Sequence, residues 1–165
     1  MLLDLREIIG VPGGKTAFEF EPDLSDVPFG SIVRIKQPSR AAGSVNNSAG
    51  VLSFSAIVDA VFICVCARCL QEFEYPVHKQ IKAYLTEGGE GESPDDYFLQ
   101  GDRVDINDII VTELVLDLDE RLFCREDCAG LCQSCGSDLN SGPCSCTKQI
   151  DPRLAILGQL LTDNR

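Results

Sequence analysis

The sequence predicts an α+β protein: a β-rich core around a long antiparallel hairpin, one or two packed helices, and a Cys-rich zinc-knuckle segment towards the C-terminal end. Three observations carry this. Apolar and polar residues alternate with a period of two from Val51, and a second run ending at Leu85 answers the first. One stretch after Asp105 has helical periodicity. Six of the nine cysteines fall between Cys124 and Cys146. A chain of 165 residues is one ordinary domain, or one with a small appendage. The expected division is 1–120, a β-rich core with an acidic loop and helix, and 121–165, a Cys-rich metal-binding segment with a C-terminal helix, the two forming one structural unit.

The elements follow in chain order. Ala17–Glu21 and Ser31–Lys36 read as short strands, because Phe18, Phe20, Ile32, Val33 and Ile35 are β-favouring. Pro38–Gly50 is rich in Ser, Ala, Gly and Asn and reads as a loop. Val51–Leu85 reads as the hairpin. Leu52, Phe54, Ala56, Val58, Ala60 and Phe62 form one face of its first strand. Phe73, Tyr75, Val77 and Ile81 form one face of the return strand, and Tyr84 falls out of that register. Cys66-Ala-Arg-Cys69 sits at the tip. Glu87–Asp96 reads as an acidic Gly-rich loop. Asp105 is a good N-cap for a helix over Ile106–Glu120, with Ile106, Ile109, Ile110, Leu114 and Leu118 on one face. Asp117, Asp119 and Glu120 oppose its macrodipole. Asp151-Pro152 starts a last helix carrying Leu154, Ile156, Leu157, Leu160 and Leu161.

Composition excludes several classes. Hydrophobic residues make up 44% of the chain, enough for a core. Twenty-six acids against fourteen bases give a net charge of -12, which opposes a protein that coats nucleic acid or binds an anionic membrane. Asp4 and Glu7 break any apolar run at the start, and Ala56–Ala67 is too short to span a bilayer, so a soluble cytoplasmic protein is expected. In that compartment clustered cysteines point to metal or redox chemistry before disulfides.

The cysteines show ligand spacing. Cys66 with Cys69 and Cys132 with Cys135 are C-x-x-C pairs, and Cys144 with Cys146 is C-x-C. Thiolates so spaced in tight turns reach one tetrahedral ion at about 2.3 Å. The simplest partition makes two four-cysteine sites. One uses Cys132, Cys135, Cys144 and Cys146. The other uses Cys66, Cys69, Cys124 and Cys128, tying the hairpin tip to the segment after the helix. A ribbon-like site of Cys66, Cys69, Cys132 and Cys135 is an equally admissible partition on spacing. Gly136 follows its knuckle at a position that often needs positive φ. Cys64 lies on the strand and reads as a buried free thiol. Structural Zn²⁺, one or two ions, is favoured, although all-thiolate sites also accept iron.

No catalytic constellation emerges. The lone His78 sits on a strand, and no nucleophile elbow, P-loop or H-E-x-x-H is present. All-thiolate zinc sites are typically closed and structural. The carboxylate pairs Asp95-Asp96 and Asp117 with Asp119 read as a solvated acidic face. A non-enzymatic protein is expected.

Several motifs occur in order: Cys66-Ala-Arg-Cys69-Leu70 with Phe73 and Pro76; Leu116-Asp-Leu118; Leu122-Phe-Cys124; Cys128-Ala-Gly-Leu-Cys132-Gln-Ser-Cys135-Gly136; Asp138-Leu-Asn140; Cys144-Ser-Cys146; and Asp151-Pro-Arg-Leu-Ala-Ile-Leu157. In that combination the chain resembles the YceD family, the large ribosomal RNA subunit accumulation proteins. The resemblance implies a non-enzymatic factor supporting 23S ribosomal RNA accumulation and large-subunit biogenesis. Its expected partner is large-subunit ribosomal RNA or a basic large-subunit ribosomal protein. The first C-x-R-C-L motif is widespread in that family, whereas the full tail set occurs in some members. The competing expectations are a thiol or zinc redox sensor and a generic protein-interaction module.

The acidity is local. Residues 1–85 hold nine acids and eight bases, 121–165 hold five of each, and 86–120 hold twelve acids against Arg103 alone. Arg34, Lys36, Arg40, Arg68, Lys79 and Lys82 therefore remain candidates for an RNA-facing surface. The 87–120 segment is a candidate dock for a basic protein.

Overall fold

A computed structural model describes residues 1–25, 27, 30–86, 96–119 and 121–146. Its elements are β1 (Leu2–Asp4), α1 (Arg6–Ile9), β2 (Lys15–Phe20), β3 (Ile32–Ser48), β4 (Val51–Val65), β5 (Glu72–Thr86), β6 (Asp96–Phe98), β7 (Arg103–Asp105) and α2 (Ile106–Asp117). The chain divides into two compact units. The first holds Met1–Ala67 and Gln71–Cys124. The second holds Arg68–Leu70 and the chain from Arg125 onward.

The first unit is built on a five-stranded sheet of order β2-β3-β4-β5-β6, with β1 and β7 forming a separate antiparallel pair. The expected hairpin is β4–β5, in continuous register from Leu52↔Leu85 to Val65↔Glu72. Strict alternation explains that register, because a one-residue slip would turn the whole apolar face to water. Leu52, Phe54, Ala56, Val58, Ala60 and Phe62 are buried in the core, joined by Ile81, Ala83 and Leu85 from β5. Tyr84 stays in register, pairs with Ser53 and points outward, 55% exposed, while Ala83 and Leu85 on either side of it carry the inward face.

Pro38–Gly50 is not a loop. Residues 38–48 form the whole second half of β3, which runs to Ser48, and the chain then turns through Ala49 and Gly50 alone, both at positive φ. Pro38 is accommodated at a register shift between Lys36 and Arg40, where no ladder hydrogen bond is required of it. The small residues that suggested a loop have a packing reason. Gly43 pairs with Phe18 on one side and Ala56 on the other, and a Cβ there would stand 2.1 Å from the Ser55 carbonyl and 2.8 Å from the Phe18 ring. Phe18 lies over the space that Gly43 leaves and stacks on Phe54 at 5.4 Å. Ala41 and Val45 are fully buried beside it.

Asn47 closes the other end of β3. Its Nδ2 donates to the carbonyls of Ile8 at 2.7 Å and Ile9 at 2.8 Å, and its Oδ1 accepts from the Gly50 amide at 2.8 Å. A buried amide so satisfied fastens the short α1 to the sheet.

The helix expected over 106–120 is α2. Asp105 caps it, accepting from Asn107 at 3.0 Å and Asp108 at 3.5 Å. Ile106, Ile109, Ile110 and Leu114 are buried, as their spacing requires. The helix ends at Asp117, short of the expected Glu120, and Leu118 is its extended C-cap, whose amide still reaches the Leu114 carbonyl. Asp117, unfavourable to the macrodipole, is held by Lys79 of β5 at 2.6 Å. Of the acidic loop expected over 87–96, Asp96 instead opens β6; residues 87–95 and the expected helix after Asp151 lie outside the described residues.

Candidate metal centres

Eight of the nine cysteines gather in two groups. The Sγ atoms of Cys66, Cys69, Cys124 and Cys128 all lie within 4.8 Å of one another, and so do those of Cys132, Cys135, Cys144 and Cys146. This is the first of the two partitions that spacing admitted; the ribbon-like grouping of Cys66, Cys69, Cys132 and Cys135 does not form. Cys64 belongs to neither group. It is fully buried in the apolar core, and burial pushes its thiol above the usual range, as fits an inert packing residue.

Each C-x-x-C is a tight knuckle of the same design. The Cys66 amide donates to the Gln71 carbonyl at 2.9 Å, and the Cys132 amide donates to the Ser137 carbonyl at 2.8 Å, five residues on in both cases. The residue after each second cysteine is left-handed: Leu70 at φ 59° and Gly136 at φ 74°. Gly136 meets the sequence expectation. Leu70 was not foreseen, because a leucine does not announce positive φ. The matching position after the two knuckles was the available signal.

Within the second unit, the segment after Cys128 folds back on Arg68. The Leu131 amide donates to the Arg68 carbonyl at 3.1 Å, and a Cβ on Gly130 would stand 3.0 Å from that same oxygen. The Arg68 guanidinium donates from Nη1 to the carbonyls of Glu126 at 2.8 Å and Cys128 at 3.2 Å. Leu131 forms an isolated bridge with Asp138, and the Leu139 amide donates to the Gly130 carbonyl at 2.9 Å.

The groups differ in exposure. Cys66, Cys69 and Cys128 are buried and Cys124 is half-buried, whereas Cys135 and Cys146 are exposed. Backbone amides of Cys135 and Ser134 hold the Cys132 thiol low. The Ser137 hydroxyl and amide, aided by the Cys146 thiol, hold Cys135 down to about 6, and its hydrogen bond to Cys135 pushes Cys146 up to about 12. The donor chemistry fits a soft, tetrahedral, thiolate-bound ion. There are four sulfurs per group, within a spread compatible with the roughly 3.8 Å edges of a tetrahedron with about 2.3 Å metal–sulfur bonds.

The six candidate RNA-facing cations are not gathered. Arg34, Lys36, Arg40 and Lys82 share the outward sheet face, but Arg34 pairs with Glu72 at 3.0 Å, Lys36 with Glu74 at 2.6 Å and Arg40 with Glu19 at 2.8 Å. Lys79 is on the opposite face with Asp117, and Arg68 bonds to main-chain carbonyls of the second unit. His78 is exposed on the outward face and bonds to Asp59. Among the described residues no helix is long and apolar enough to cross a membrane.

The comparisons agree with the motif order. A family model described as large ribosomal RNA subunit accumulation protein YceD matches residues 54–161. An uncharacterized protein of Mycobacterium bovis and uncharacterized proteins of two Mycobacterium tuberculosis strains are each 36% identical over 123 residues. The match covers 69% of this chain and 57% of the length of those relatives. No solved structure matches.

Proposed function

This chain belongs to the YceD family, and on that premise we propose that it is a non-enzymatic, cytoplasmic factor in large ribosomal subunit biogenesis, needed for 23S ribosomal RNA to accumulate. In this reading it is a zinc-stapled adaptor. Cys66, Cys69, Cys124 and Cys128 hold one ion, and Cys132, Cys135, Cys144 and Cys146 hold a second. Zinc supplies cross-linking energy and no reactive step.

The observation that carries the proposal is the sorting of eight cysteines into two four-sulfur groups within a chain whose family match runs over residues 54–161. Between the two candidate partners, a basic large-subunit ribosomal protein is favoured over ribosomal RNA. Three of the four outward-face cations are already paired with carboxylates, which weakens their attraction for phosphate. The 86–120 stretch, with twelve acids and one base, offers the complementary charge.

The test is a clean deletion combined with affinity capture of the full chain and metal analysis. The proposal expects reduced 23S ribosomal RNA, capture of a large-subunit ribosomal protein, and two zinc ions per chain. Normal ribosomal RNA levels in the deletion would remove the biogenesis role, and recovery of RNA without a ribosomal protein would reverse the choice of partner.

A further inference from the structure

Resting on the metal reading above, we infer that Asn140 is a positioning residue that links the two cysteine groups: from the loop between Cys135 and Cys144 it orients the sulfur of Cys128. Every hydrogen-bonding group of its side chain is used. Oδ1 accepts from the Ala129 amide at 2.9 Å and from Arg125 Nη2 at 2.7 Å. Nδ2 donates to Asp138 Oδ1 at 2.6 Å and to Cys128 Sγ at 3.5 Å. Ala129 and Arg125 offer only donors, so they fix the oxygen on their side and turn the NH₂ group to the sulfur and the carboxylate.

The loop that carries Asn140 is itself held. Its amide donates to Asp138 Oδ1 at 2.9 Å, and the neighbouring Leu139 amide donates to the Gly130 carbonyl at 2.9 Å. The loop is bounded by Cys135 and Cys144, so ordering those two sulfurs around an ion fixes its ends. The same loop then presents an N–H to Cys128, a member of the other group. An N–H···S bond withdraws charge from a thiolate and limits its rotation, and partners of this kind typically tune metal affinity by one to two orders of magnitude. Filling one group therefore strengthens the hold of the other, and by linkage the effect is reciprocal.

The test uses the full chain loaded with zinc for release kinetics and with cadmium for NMR. Asn140→Asp keeps the acceptor for Ala129 and Arg125 and removes the donor to sulfur; because it would also set a carboxylate against Asp138, it is made together with Asp138→Asn, whose amide restores a donor to that contact and so keeps the loop. Asn140→Ala removes everything. The Cys66→Ser variant assigns the cadmium resonance of the first group by its change. The expected result is that both Asn140 variants shift that resonance and speed chelator release of the same ion roughly ten- to a hundredfold, while Asn140→Asp leaves release from the Cys132 group unchanged. Unchanged resonances and release rates in both variants would overturn the role of Asn140 and leave the metal reading standing. Equal acceleration of both ions in Asn140→Asp would mean that Asn140 only holds the loop, and would also overturn it. Absence of bound metal in the unaltered chain would overturn the metal reading, and this inference with it.

Discussion

The Arg68 guanidinium donates from one nitrogen, Nη1, to the carbonyl of Cys128 at 3.2 Å as well as to that of Glu126 at 2.8 Å. The middle of one cysteine knuckle thus grips the backbone that carries a cysteine from a distant part of the sequence. A lysine at this position keeps the charge and could also donate from one nitrogen, but its ammonium has to be stripped of tightly held water. Arg68→Lys should lose about 1 kcal/mol of stability and Arg68→Ala somewhat more, as expected for a partly exposed charge-assisted hydrogen bond. Thermal unfolding of the metal-loaded protein reads both. A lysine variant as stable as the parent would show that charge alone matters at this site.

The two knuckles make opposite predictions at one position. Leu70 is 64% exposed and held at φ 59°, so a side chain at that φ costs energy and buries little in return. Leu70→Gly should gain up to about 1 kcal/mol, the relieved strain being partly offset by the freer unfolded chain. Gly136, at φ 74°, should respond the other way, with Gly136→Ala losing about 1–2 kcal/mol. Chemical denaturation of both variants with metal bound checks the pair. A loss of stability in Leu70→Gly would show that the leucine side chain packs more than its exposure suggests.

Cys64 separates packing from coordination. It is fully buried in the apolar core and absent from both sulfur groups. Cys64→Ala should leave metal stoichiometry unchanged and lower stability by about 1–2 kcal/mol through lost contacts and a small cavity. Metal analysis and urea unfolding on one sample give both readings. A drop in bound metal to half would assign Cys64 to a site.

Gly43 is needed for its lack of a side chain, not for its flexibility. Gly43→Ala forces a methyl group against the Ser55 carbonyl and the ring of Phe18, at 2.1 and 2.8 Å. The strand must shift or Phe18 must leave its stack on Phe54, at a cost of at least about 1–3 kcal/mol. The urea midpoint should fall with an unchanged slope. Neutrality would mean that β3 yields more readily than a central strand should.

These positions mark what the sequence shows and what it hides. The β4–β5 hairpin was legible because alternation is a local signal and the buried face follows from it. The α2 N-cap and its buried isoleucines were legible for the same reason. β3 was misread because Pro38, Gly43 and the small residues between them look like a loop until Phe18 is known to lie over Gly43, a partner some 25 residues away in the chain. The short β1, α1, β6 and β7 carry too few residues for any period. The cysteine ligands were legible by type. Their partition was not, since two groupings fit the spacing and only three-dimensional proximity separates them. Arg68 and Asn140 were visible only as motif letters, because hydrogen bonds to a distant carbonyl or sulfur leave no trace in composition.

The strongest consequence concerns metal removal. Between residues 125 and 146 only Cys128 and Gly130 are buried, no helix or named strand forms, and none of the residues joins the apolar core. At about 25 cal/mol per Å² of apolar surface, such a segment gains little from burial, while ordering each residue costs about 1–2 kcal/mol of backbone entropy. Its few hydrogen bonds contribute about 1 kcal/mol apiece and do not offset that cost. Ions held by the two sulfur groups, as proposed, would supply the missing term, since structural zinc binding is itself folding free energy. The sheet of the first unit needs no such support: its core unites Phe54, Phe62, Ile81, Ile109 and Leu114. Chelation should therefore leave the first unit folded and melt the second. Hydrogen exchange reads the two separately. The amides of Leu131, Cys132, Gly136 and Leu139, all hydrogen-bonded in the structure, should lose protection, while those of β4 and β5 keep it. Retained protection across residues 131–139 after the metal is gone would show that the knuckles hold themselves, and simultaneous loss in β4 would show that the ions support the sheet as well.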